Sequence, residues 1–262
     1  MSLTDKEIEQ FEKRYFDEIY FSMFEAENLM GKYLTSKDKI KDEWWQYFDR
    51  ADKKTSDLAR GAERVFFYLS PQDWRPNSAP IGSDLFFESH EAFIHIEVKT
   101  ARISNTSDYG GEVPLGHNQT SYNPSRSYSG TDIDAEPHLP HYYELEGNKK
   151  PCLTYALQII YDHKTYDIID VILVSVPNGQ LFDVYGNKIV KAGKTKNESF
   201  RYKFSKNPYF EKLDEDDFRV RFLYYNEDYE DELPKNDILN LEDEDLINHP
   251  DFDLEGSLDN FS

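Results

Sequence analysis

The sequence predicts an α/β domain in which N-terminal helices are followed by a mixed β-sheet with flanking helices. Three observations predict it. In the first third, apolar residues recur at three- and four-residue spacing, as on one face of a helix. From residue 84 onward they fall in short alternating or continuous runs, as in strands. Between the two regimes, residues 70–82 carry Pro71, Pro76, Pro80 and Gly82, which break helices. At 262 residues, 38% hydrophobic and 15% aromatic, the chain can bury a substantial core and is not disordered throughout.

The elements follow in order. Thr4 with Glu7 three residues on is a capping-box signature, and Ile8, Phe11, Tyr15, Ile19 and Met23 then form one apolar stripe. A second helix starts near Lys41 and carries Trp44, Trp45, Tyr47 and Phe48. A third covers residues 55–68, with Leu58, Ala62, Val65 and Phe66 on one side. Residues 84–87 and 93–99 read as an antiparallel hairpin whose turn is Glu88-Ser89-His90-Glu91. Further strands are expected at 155–161, 167–176, 199–204 and 219–225. Residues 100–151 are rich in Ser, Asn, Tyr, Gly and His and show little periodicity, which marks a long functional or disordered loop. Residues 1–225 are expected to form a single domain, helical over 1–70 with the sheet core at 80–225, and residues 226–262 an acidic tail.

Composition excludes several classes. The single cysteine, Cys152, rules out an internal disulfide framework and a cysteine-based structural zinc site. The longest apolar run, residues 168–176, is interrupted by Asp170 and is far too short to span a bilayer. The first seven residues have no apolar signal core. The expectation is a soluble, cytoplasmic protein with no membrane partner. The net charge of −21 repels phosphate at long range. That charge is uneven, with 14 acidic residues against Lys235 alone after Asn226. The body is far less acidic than the whole, and a locally basic cleft is compatible with it.

The informative stretch is Gly82-Ser83-Asp84 followed by Ile96-Glu97-Val98-Lys99. Side chains alternate across a strand, so Glu97 and Lys99 share a face, and a paired preceding strand brings Asp84 to Glu97. Two carboxylates and an ammonium at a sheet end suit a magnesium ion, which takes oxygen ligands and needs only one or two carboxylates. Such an ion polarises a phosphodiester, and Lys99 is placed to orient a water or offset developing charge. Asp52-Lys53-Lys54 and Asp162-His163-Lys164 also match an acidic-x-Lys pattern, but only Glu97-Val98-Lys99 lies inside an apolar strand. The plain structural alternative is a solvent-facing cross-strand pair at a hairpin edge.

Asp84 on one strand and Glu97-x-Lys99 on the next resemble the active-site motif of the PD-(D/E)xK nuclease superfamily, and type II restriction endonucleases in particular. The resemblance covers residues 55–125, and Gly116-His117-Asn118-Gln119-Thr120-Ser121-Tyr122 is similar to a stretch found after the motif in some of these enzymes. Ser83 stands where the superfamily name has Pro. The resemblance implies a restriction-endonuclease-like core and a Mg²⁺-dependent, site-specific endonuclease that cuts double-stranded DNA at a short palindromic site as a homodimer. It implies Asp84 and Glu97 as metal ligands and Lys99 as the group that activates or positions water. It also implies a further glutamate on the helix before the hairpin, for which Glu63, 21 residues before Asp84, is the candidate. Asn118, Gln119, Thr120, Ser121 and Tyr122, flanked by Arg102 and Arg126, are the candidate DNA contacts. Asn and Gln pair bidentately with adenine, and Arg with guanine. Lys188, Lys191, Lys194, Lys196, Arg201 and Lys203 form the main basic run, which is either a track for a DNA backbone or a solvated face. Two rivals are a same-fold repair or processing nuclease, and a non-catalytic binding protein whose acidic tail mimics nucleic acid or docks a partner.

Overall fold

In the computed structural model of the chain, helix α1 (Asp5–Phe24) starts on the expected capping box. The Thr4 N–H donates to Glu7 Oε2 at 2.7 Å and the Glu7 N–H to Thr4 Oγ1 at 3.3 Å, which satisfies two otherwise orphaned amides. Ile8, Tyr15, Phe16, Ile19, Tyr20 and Met23 are buried. One position departs from the expected stripe: Phe11 is only half-buried, and its neighbour Glu12 points inward instead. Helix α2 (Ser56–Leu69) buries Ala62, Phe66 and Leu69, and Ser22 of α1 donates to its Leu69 carbonyl at 2.7 Å. The structure describes residues 3–24, 26, 34, 56–71, 73–76, 83–122, 127–128, 131–132, 139–145, 147–165, 167–193, 199–203, 212–214 and 217–229. The helix expected near Lys41 and most of the acidic tail lie outside these residues. Among the described residues no helix is long and apolar enough to cross a membrane.

The strands are β1 (Arg75–Pro76), β2 (Leu85–Glu88), β3 (Phe93–Arg102), β4 (Glu112–Gly116), β5 (Ser127–Tyr128), β6 (Thr131–Asp132) and β7 (Tyr142–Leu145). They continue as β8 (Asn148–Tyr161), β9 (Ile168–Val176), β10 (Val190–Ala192), β11 (Ser199–Lys203), β12 (Lys212–Asp214), β13 (Asp217–Phe218) and β14 (Val220–Tyr225). The main sheet runs β1-β2-β3-β8-β9-β14, with β7 also paired to β8. β3 and β8 are parallel and the other neighbours antiparallel, so the sheet is mixed. A smaller sheet runs β10-β11-β4.

The main sheet is a middle layer. On one face Ile94, Ile96 and Val98 join Leu153, Tyr155 and Leu157 beneath α1 and α2. On the other, Ala101, Ala156, Ile160 and Ile172 meet Val113, Leu115, Phe200 and Tyr202 of the small sheet. Covering both faces is why β8 and β9 read as near-continuous apolar runs. The region expected as a loop at 100–151 is partly structured. β3 extends to Arg102, a 3₁₀ turn (Thr106–Asp108) follows, and β4, β7 and the first residues of β8 lie within it. β4 pairs with β11, more than 80 residues later, so no local pattern marks it as a strand.

A buried ion pair ties α1 to the far side of the sheet. Arg219, fully buried, donates through Nη2 to Glu12 Oε2 at 2.7 Å and to the Tyr185 hydroxyl at 2.8 Å. The other Glu12 oxygen accepts the Asn178 N–H at 2.6 Å. Beside it the backbone passes unusually close at Gly179. A Cβ there lies 2.0 Å from the Ser121 carbonyl oxygen and 2.4 Å from His141 Nε2. Gly179→Ala is therefore expected to destabilise the fold by about 1–3 kcal/mol, read as a lowered midpoint in urea denaturation.

Candidate active site

β2 ends one residue short of the site, and that ending creates it. Leu85 pairs with Ile96, so the same register sets Asp84 opposite Glu97. Beyond that point, among the described residues, no strand pairs with the outer edge of β3. The Val98 N–H on this edge donates to Asp84 Oδ2 at 2.8 Å, so a carboxylate continues the ladder where the backbone stops. Just before it, Ser83 Oγ lies 2.5 Å from His95 Nδ1, and His95 stacks on Phe86 with ring centroids 4.3 Å apart. Burial pushes His95 down to about 3, so the ring is a neutral strut.

Glu97 is fully buried. Its Oε2 accepts from Lys99 Nζ at 3.2 Å and from Gln119 Nε2 at 2.7 Å. Among the described residues its Oε1 meets no geometric hydrogen-bond partner, and the Asp84 carboxyl is its polar neighbour. Burial raises the Glu97 carboxyl to about 8; Lys99 opposes that rise and the adjacent Asp84 carboxyl adds to it. Gln119 closes the set: its Oε1 accepts from Lys99 Nζ at 2.9 Å and from the Gly116 N–H at 2.8 Å.

Strand alternation puts Glu97, Lys99 and Ala101 on the face covered by the small sheet. Helix α2 packs on the opposite face, with Ile94, Ile96 and Val98. Among the described residues no three His, Cys, Asp or Glu side chains are placed to hold a metal ion together. The structure brings Asp84, Glu97 and Lys99 together, and Glu63 lies half-buried on α2.

The other expected site residues divide four ways. Arg102 is exposed at the end of β3 and Asn118 is half-buried in the turn after β4. Thr120, Ser121 and Tyr122 are buried and spent internally. Thr120 Oγ1 accepts the Tyr122 N–H, Ser121 Oγ accepts the Gly179 N–H, and the Tyr122 hydroxyl donates to the Gly186 carbonyl. These three side chains are engaged inside the fold, as in the alternative reading of a polar loop with internal hydrogen bonds. Gln119 turns to Glu97 and Lys99, and Arg126 lies outside the described residues. In the basic run, Lys191 pairs with Glu112 and Arg201 with Asp108, at 2.8 and 2.7 Å, so their charge is offset locally. Sequence reasoning missed Ser83 and His95 as supports of Asp84, although His95 lies on the same strand face as Glu97.

The donor set fits a hard divalent cation. Two carboxylates face each other, and the Glu97 oxygen nearest to unsatisfied is buried without a hydrogen bond.

Comparison with known proteins gives consistent results. The family profile described as type II restriction enzyme MwoI, N-terminal domain, matches residues 4–165. The profile of the MwoI central domain matches residues 168–225. Among solved structures, the chain is similar to the restriction endonuclease BglI bound to its DNA recognition sequence, with a TM-score of 0.60 and 18% identity over 82% of this chain and 90% of that one. It is also similar to the tetrameric restriction endonuclease SfiI bound to cognate DNA, with a TM-score of 0.61 and 13% identity over 87% and 88%. No curated protein sequence matches the chain.

Proposed function

The chain belongs to the MwoI family of type II restriction enzymes, site-specific deoxyribonucleases, and from that premise we propose that it hydrolyses double-stranded DNA at a short palindromic site, as a homodimer, with Mg²⁺ as its ion. The family implies a divalent metal in general; the choice of Mg²⁺ rests on the all-oxygen donor pair. The observation that carries the residue assignment is the Asp84–Glu97 pair at an open strand edge, with one buried Glu97 oxygen unbonded and Lys99 beside it. Asp84 and Glu97 would hold the ion. A divalent ion bound there supplies Lewis-acid polarisation of a phosphodiester and acidifies water. Lys99 orients the attacking water and offsets charge that develops on the scissile phosphate. The Val98 N–H fixes Asp84, and the neutral His95 fixes the residue before it. Arg102 and Asn118, with Arg126, are the DNA contacts we retain. Residues 1–225 act as one nuclease domain in this reading, because the main sheet is continuous through β8 in the first matched region and β9 and β14 in the second. A two-fold dimer on a two-fold site matches symmetry to symmetry.

Phage DNA incubated with the protein and Mg²⁺ is expected to yield discrete fragments, and none in EDTA or with Lys99→Met. A smear would replace site-specific cleavage by a processing nuclease. Equal cutting by Lys99→Met would remove Lys99 from the chemistry.

A further inference from the structure

Gln119 lies in the turn after β4, 22 residues from Glu97, and yet its side chain joins both charged groups of the site. Its orientation is unambiguous. The Lys99 ammonium and the Gly116 N–H only donate, so the amide oxygen faces them. The Glu97 carboxylate, when ionised, only accepts, so the amide nitrogen faces it. The Gln119 N–H also donates to the Gly116 carbonyl at 3.0 Å, so backbone and side chain lock the turn to one glycine.

Resting on the proposed nuclease reading, we propose that Gln119 is the positioning residue of this site: its single amide engages Glu97 Oε2 and Lys99 Nζ together, and so leaves Glu97 Oε1 as the oxygen presented to the divalent ion beside Asp84. A carboxylate is free to turn about its terminal bond, and Lys99 is a point charge that fixes no plane. The second bond, from Gln119 to the same oxygen, defines the plane. It also holds the ammonium off the ion-facing side, where two like charges would compete for one oxygen. Gln119 acts through Glu97 and Lys99 and does not itself touch the reacting atoms. The partners that orient a ligand commonly set metal affinity or activity by 10–100-fold.

The test uses the full chain and Gln119→Met, which keeps the length, cannot donate and accepts only weakly. Mn²⁺ binding to the DNA-free protein is followed by electron paramagnetic resonance, beside single-turnover cleavage. Gln119→Met is expected to bind Mn²⁺ about tenfold more weakly, to need correspondingly more Mn²⁺ for half-maximal cleavage, and to bind DNA in EDTA as the wild type does. Should Gln119→Met melt early, Gln119→Asn, whose amide is withdrawn by one methylene, is read in its place with the same expectations. Wild-type Mn²⁺ binding and metal dependence in the variant, with Lys99→Met inactive, would overturn the proposal and leave the nuclease reading standing. Weakened DNA binding in EDTA with normal Mn²⁺ binding would overturn it too, and make Gln119 a DNA contact. Absence of any metal-dependent cleavage by the wild type would bring down the nuclease reading itself.

Discussion

Glu97→Gln is expected to abolish cleavage and, in the same protein, to raise thermal stability at alkaline pH. The activity effect follows from losing a charged ion ligand, and should exceed about 10³-fold in single-turnover rate. The stability effect follows from burial. The folded carboxyl titrates at about 8 against an ordinary 4.5, because desolvation favours its neutral form. A carboxyl raised in the fold contributes its full stability below pH 4.5, and that contribution is lost as pH rises through about 8. At about 1.4 kcal/mol per pH unit, the ceiling on this cost is ~5 kcal/mol. Glutamine keeps the shape and never ionises. In EDTA the two proteins should melt close together at pH 5, and the variant should melt higher by a margin that grows up to about pH 8 and then levels off. Adding a divalent ion at pH 9 should restore the wild type and leave the variant unchanged, since only a binding-competent fold gains from ligand. A melting difference that does not vary with pH would show that Glu97 is not strained by burial.

Glu12→Ala is the second large effect, and concerns the fold alone. It leaves the fully buried Arg219 guanidinium with only the partly exposed Glu9 carboxylate, 3.9 Å away, as counter-charge, and removes the acceptor of the Asn178 N–H. Breaking a buried pair by removing one partner costs about 3–5 kcal/mol. The pair itself need not be stabilising relative to apolar packing. Glu12→Leu with Arg219→Met should therefore recover most of the loss seen in the single variant. Urea denaturation of the wild type, Glu12→Leu, Arg219→Met and their double variant measures this as a double-mutant cycle, with Glu12→Ala read beside it. A loss under about 1 kcal/mol for Glu12→Ala would mean that water reaches the guanidinium and that the pair is not sealed.

Where function is legible in the chain, it is legible because strands alternate. Glu97 and Lys99 share a face by their spacing, and Asp84 meets Glu97 because the short hairpin permits only a close register. The helix start at Thr4, the hairpin turn and the apolar runs of β8 and β9 are likewise local signals, read within a few residues. The partners of those groups are not local. Gln119 reaches Glu97 only because β4 is paired to β11, and Arg219 meets Glu12 across 207 positions. A polar turn residue looks the same in sequence whether its amide faces DNA, solvent or a buried carboxylate, and so Thr120, Ser121 and Tyr122 read as contacts although they are buried. Glu63 shows the converse: the chain places it on a helix before the hairpin, but which face of the sheet that helix covers is set by packing. By itself, then, the sequence determined α1, α2, the β2–β3 hairpin, the apolar strands β8 and β9 and the Asp84, Glu97 and Lys99 constellation, because alternation and short-range register are properties of neighbouring residues, whereas β4 and β7 went unread. Only the tertiary structure decided which oxygen of Glu97 is engaged, by what, and which polar residues are left to meet a ligand, because those depend on pairings between segments far apart in the chain.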